Sequence, residues 1–183
     1  MAEYGVLLTT TAGEVWVTAN SSPISLQARK TAELQGTSGF NTKVTHTFPA
    51  GQPVVAFVHC TVEVEITQTI SGNTITIDFL RPNATGTAYV YFFSIFPQTK
   101  PDYGLAVWDA SGTLILTNET RTLSDVVTLG TAGVDASSGY NINTTLAGKW
   151  ACMPAMLGLI TGVISAGGQP QPYMAIYKSL AKL

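Results

Sequence analysis

Thr61-Val62-Glu63-Val64-Glu65-Ile66-Thr67-Gln68-Thr69-Ile70-Ser71-Gly72-Asn73-Thr74-Ile75-Thr76-Ile77-Asp78-Phe79-Leu80 is the stretch on which the fold turns. Val62, Val64 and Ile66 recur at every second position, and Ile75, Ile77 and Phe79 repeat the pattern. Successive side chains of a strand point to opposite faces, so this period buries one face and wets the other. Between the two runs, Ser71-Gly72-Asn73 supplies residues that take positive φ at little cost. The stretch 61–80 therefore predicts a β-hairpin.

The same signals extend in both directions. Strands are expected at 4–9, 14–18, 53–59, 87–96, 103–108, 113–117, 151–156, 158–164 and 173–178. Turn residues separate them about every 8–12 positions, the spacing of a sandwich or barrel. Helical periodicity is weak, and a turn or two of helix is expected only within 25–35 and in the tail 178–183. The fold class is all-β.

Composition narrows the function. Of 183 residues, 45% are hydrophobic and only 11% charged, which is too apolar for intrinsic disorder. Nine basic residues against eleven acidic ones, with no basic run, argue against a surface that tracks nucleic-acid phosphates. Two cysteines cannot build a disulfide framework, and two histidines leave little for metal chemistry. Met1-Ala2-Glu3-Tyr4 has no signal-peptide character. Trp150 to Tyr177 carries no charge and is long enough to span a bilayer as a helix. Pro154, Gly158, Gly162, Gly167, Gly168, Pro170 and Pro172 interrupt it, so buried strands are expected there and no membrane span. The Asn-x-Ser/Thr triplets at Asn20, Asn83, Asn118 and Asn143 read as chance in a chain so rich in serine and threonine.

A repeat is visible at a separation of 99 residues. Tyr4-Gly5 followed by Gly13 and Thr18 returns as Tyr103-Gly104, Gly112 and Thr117, with apolar residues between. Each copy spells a strand after Tyr-Gly, a turn closed by glycine, and a returning strand. In the second copy Asp109-Ala110-Ser111-Gly112 fits a type I turn followed by a left-handed glycine. Phe96-Pro97-Gln98-Thr99-Lys100-Pro101-Asp102 suits an exposed linker. Two tandem β-sandwich-like domains related by duplication are expected, at 1–99 and 100–183.

Ala2-Glu3-Tyr4-Gly5 with its hairpin, and Tyr103-Gly104-Leu105-Ala106-Val107-Trp108-Asp109-Ala110-Ser111-Gly112-Thr113-Leu114-Ile115-Leu116-Thr117, resemble small tail-region structural proteins of tailed bacteriophages. In those proteins a Tyr-Gly hairpin opens the chain and later strands complete a small β-domain. The resemblance covers about 25 residues at each copy and transfers no catalytic or ligand residue. The first copy departs from it at Thr9-Thr10-Thr11-Ala12-Gly13, where the family tends to place Asp or Asn. It implies a virion component near the tail tip or baseplate, made in the host cytoplasm, with no enzymatic activity and no cofactor. Its partners would be copies of itself and other tail proteins, with a host-surface glycan as a further candidate. A capsid decoration protein and a carbohydrate-binding adhesin module remain open as alternatives.

The residues supply no competing chemistry. Cys60 follows His59 directly, but neighbours on a strand face opposite ways, so they form no local dyad. Cys60 and Cys152 read as buried small hydrophobes. Glu63 and Glu65 share one strand face and read as the wet side opposite Val62, Val64 and Ile66. Tyr89, Tyr91 and Phe93 alternate with Val90 and Phe92, describing a strand apolar on both faces, which is either central in the core or covered on one side by another chain, with a ligand platform as the alternative. The segments 44–60 and 150–177 are free of carboxylates, Lys and Arg, which favours a homo-oligomer or docking into an assembly. Tyr89, Tyr91, Phe93, Trp108 and Trp150 are the expected interface residues.

Overall fold

The computed structural model describes residues 8–9, 11, 13, 15–17, 22–37, 41–128, 146–153, 156–166, 169–178 and 180–181. Its strands in chain order are β1 (Leu8–Thr9), β2 (Val15–Val17), β3 (Ser25–Leu34), β4 (Asn41–Thr47), β5 (Val54–Cys60), β6 (Val64–Ser71) and β7 (Thr74–Leu80). They continue with β8 (Gly86–Ser94), β9 (Ala106–Trp108), β10 (Leu114–Thr117), β11 (Met156–Ala166), β12 (Gln169–Lys178) and β13 (Leu180–Ala181). The described residues contain no helix, and every strand pairing is antiparallel.

The expected hairpin is β6–β7. Ser71 pairs with Thr74, leaving Gly72-Asn73 as a two-residue loop. Gly72 has φ +57 and Asn73 keeps a negative φ, the pattern of a type II′ turn, whose twist matches that of the strands it joins. Ile75, Ile77 and Phe79 from β7, with Val64 and Ile66 from β6, are essentially buried. This hairpin is the centre of the sheet β13-β6-β7-β4. Opposite it stands the sheet β3-β8-β5. Leu34, Ala56, Val58, Cys60, Ala88, Val90 and Phe92 reach inward from that second sheet and complete one shared core. The two sheets make a β-sandwich-like unit, and alternation along each strand determines which side chains lie between them.

Two expectations are overturned. Residues 25–34 form a ten-residue strand in place of a turn of helix. Pairing along almost all of β8 dictates this, and Ala28, Ala32 and Leu34 then fall on the inward side with the period of a strand. The polar residues between them obscure that period. At the other end of the chain, Leu180–Ala181 pairs with Val64–Glu65 of β6 as a strand, where a helical turn was expected. The strand β4 escapes sequence reading altogether. It contains one buried apolar residue, Val44, and works as a polar edge.

Beyond the sandwich, β9 and β10 form a hairpin with its own small core of Val107, Ile115 and Leu116. Its turn follows the expected design. The Gly112 N–H donates to the Asp109 carbonyl at 3.0 Å, and Gly112 has φ +82. The Asp109 carboxylate accepts from the Ser111 and Thr113 amides at 2.9 and 2.8 Å. β1 and β2 also pair as a hairpin, although much of 4–18 lies outside the described residues. The uncharged C-terminal region folds into the long hairpin β11–β12. Of the strand expected at 151–156, Cys152 forms an isolated bridge, Met156 starts β11, and 154–155 lie outside the described residues.

The anticipated linker is only partly exposed. Gln98 is half-buried and joins two parts of the fold: its amide donates to Ser25 Oγ at 3.1 Å, and its backbone N–H donates to the Leu114 carbonyl at 2.8 Å. Main-chain pairs also cross position 99/100. Thr122 bridges Ser25, Cys152 bridges Val58, and β13 lies on β6.

Candidate ligand groove

The two outward faces of the sandwich differ in chemistry. On the β6-β7-β4 face, the rows Thr69–Thr76–Thr45 and Thr67–Asp78–Lys43 follow from the register, with Lys43 and Asp78 3.5 Å apart. Threonine and paired charge suit a solvated surface. On the β3-β8-β5 face, the register aligns Arg29–Tyr91–Phe57, then Thr31–Tyr89–His59 on one side and Leu26–Phe93–Val55 on the other. Here the central strand presents Tyr89, Tyr91 and Phe93, all half-buried, while Val90 and Phe92 occupy the core behind them.

Walls rise along both edges of this aromatic floor. Beside β3, the Leu26 N–H donates to the Arg121 carbonyl at 2.7 Å and the Leu123 N–H to the Ile24 carbonyl at 3.0 Å. The chain then runs along the groove from Leu123 to Val127, with a positive φ of 55 at Asp125. Beside β5, Val58 and Cys152 exchange backbone hydrogen bonds of 2.8 and 2.9 Å. Trp150 is fixed next to them. Its indole N–H donates to the Ala147 carbonyl at 2.8 Å, and its own carbonyl accepts from His59 Nδ1 at 2.9 Å. A carbonyl cannot donate, so Nδ1 carries the proton in that contact. Floor and walls enclose a groove of about 820 Å³, within the ~300–1,000 Å³ range of small-ligand pockets.

The floor is held in place by ring contacts. Phe57 and Phe93 meet edge to face with centroids 5.8 Å apart, and His59 tilts against Tyr89 at 5.7 Å. The Arg29 guanidinium lies over both tyrosines, 5.1 Å from the Tyr89 centroid and 5.6 Å from that of Tyr91. Such cation–π contacts contribute about 0.5–1 kcal/mol each at exposed sites. They also restrict a long side chain, so it loses less entropy when it binds something else.

Of the expected interface residues, Tyr89, Tyr91, Phe93 and Trp150 line this one groove. Trp108 lies apart, half exposed on β9. Arg29, Phe57 and His59 belong to the groove and were not among the expected interface residues. They join it through strand pairing between residues about 30 to 60 positions apart, which no local pattern encodes.

Of the groups weighed as catalytic, His59 lines the groove and the others are placed elsewhere. Cys60 faces the core, back to back with His59, and burial beside Cys152 pushes its thiol up to about 12. Cys152 is half-buried, and burial raises its pKa too. Glu65 lies 3.9 Å from Arg81, and Glu63 gives its carbonyl to the Asn83 amide. Among the described residues no three His, Cys, Asp or Glu side chains gather as a metal site, and no helix is long and apolar enough to cross a membrane. No family model, curated protein or solved structure matches the chain.

Proposed function

We propose that this chain is a structural protein of a bacteriophage virion, placed at the tail tip or baseplate, that acts through assembly contacts. The observation that carries the proposal is the apolar surface of the hairpin that resembles phage tail proteins. Tyr103 is 90% exposed, Leu105 53% and Trp108 50%. Its small core of Val107, Ile115 and Leu116 leaves these three side chains outside, as a hairpin that docks on another subunit would. The partners are copies of the chain and neighbouring tail proteins, and the two halves derive from duplication of a Tyr-Gly hairpin unit.

A second reading is favoured by the groove. Aromatic rings on one outer sheet face, walled on both sides and mixed with hydroxyl groups, suit a carbohydrate-binding module. The two readings meet in a tail component that touches the host surface.

Light scattering of the detergent-free protein across a dilution series tests the assembly role. The expected result is a trimer or larger ring, with a Leu105→Ser/Trp108→Ser double variant reduced to smaller species. A wild-type monomer at every concentration that also fails to bind other tail proteins would overturn it.

A further inference from the structure

We infer that the groove binds an acidic saccharide and that Arg29 receives its carboxylate. This rests on the reading of the groove as a carbohydrate site and is independent of the virion assignment.

Charge gives the first argument. Both ion pairs among the described residues, Lys43–Asp78 and Arg81–Glu65, involve the other sheet. Arg29 is exposed and stacked on two tyrosines, and no described carboxylate pairs with it. A guanidinium held against aromatic faces keeps its N–H fork free for a planar, two-oxygen acceptor, the geometry of a carboxylate. Lys149 adds a second cation to the lining, against the single carboxylate of Asp125. In a chain of net charge −2, this groove therefore has an excess of positive charge.

The floor gives the second. A sheet face presents side chains only, because the backbone N–H and C=O groups of β3, β8 and β5 lie in the plane of the sheet and pair along it. A peptide that adds as a strand would lie along the outer edge of β3 or β5, in the plane of the sheet, and not across the rings of this face. The floor presents rings and hydroxyls instead. The C–H face of a pyranose packs on an aromatic ring such as Trp150, while its hydroxyls find partners like Ser124 and the tyrosine hydroxyls. A sugar bearing a carboxylate satisfies rings, hydroxyls and Arg29 together.

The test is titration calorimetry of the full chain with sialyllactose and trigalacturonate, against the neutral counterparts lactose and galactotriose. A hexaglutamate peptide serves as the anionic probe that is not a sugar. At least one acidic sugar should bind about tenfold or more tightly than its neutral counterpart, and more weakly as salt rises. Arg29→Gln should erase that preference, and Arg29→Lys should restore part of it. Lys149→Gln, a second exposed site, should weaken acidic sugars alone. Unchanged melting temperatures would certify the fold of each variant.

Equal affinity for acidic and neutral sugars, or an Arg29→Gln variant that keeps the preference, overturns the inference. If neutral sugars bind and Trp150→Ala abolishes this, the carbohydrate reading survives while the role of Arg29 falls. Hexaglutamate binding as tightly as the sugars would make the groove an acidic-peptide site. Failure of every sugar to bind overturns both readings.

Discussion

His46 enters the sandwich from the edge strand β4. Its ring stacks on Phe92 with centroids 4.7 Å apart, and its Nε2 lies 3.0 Å from Gln27 Oε1. Burial, and then the charge of Lys30, hold its pKa below the usual 6.5. The unfolded chain therefore takes up a proton more readily than the folded one. Stability from this residue is complete above 6.5 and is lost as the pH falls through the lowered folded value. Urea midpoints should drop as the pH falls below 6.5, and His46→Gln should flatten part of that slope. A variant whose slope equals that of the wild type would remove His46 from the account. No strand was expected over 41–47, whose residues are polar around Val44 alone, so the stacking of His46 on Phe92 was not legible. By contrast, the opposed placement of His59 and Cys60 was legible, since alternation along a strand follows from backbone geometry.

Strands with strong alternation could be read directly, namely β5, β6, β7 and β8. Strands that borrow their stability from a neighbour could not. β3 has a weak pattern of its own and gains its conformation from hydrogen bonds to β8. The segment 96–102 shows a different limit. Two prolines and a lysine look like a linker, yet one glutamine among them becomes a junction. Gln98 donates to Ser25 Oγ and to the Phe96 carbonyl, and it accepts from Thr120 Oγ1 at 3.1 Å. Ser25 is only 1% exposed, so losing its partner leaves a hydroxyl dehydrated and unpaired. Gln98→Leu should cost about 1–3 kcal/mol in denaturant titration. A loss below about 0.5 kcal/mol, the scale of ordinary surface changes, would show that the junction holds without it.

For the whole molecule, the all-β class and the sandwich-like arrangement follow from alternation alone, whereas the groove does not. Its floor could be glimpsed in Tyr89, Tyr91 and Phe93 as a strand apolar on both faces. Its walls come from residues 121–127 and 149–152, brought there by pairings that span tens of residues. Those pairings make the second half of the chain part of the edges of the first. Removing residues 100–183 opens the edge of β3 at Ser25, the edge of β5 at Val58 and the edge of β6 at Val64–Glu65. It also strips the walls from the aromatic floor. Open edges beside exposed aromatic side chains invite aggregation. A fragment of residues 1–99 should therefore aggregate or unfold non-cooperatively under conditions in which the full chain gives one sharp urea transition. A soluble fragment with its own cooperative transition would instead make the first half an independent domain. The crossing pairs would then be a docking interface between two duplicated units, and the groove would lie at that interface.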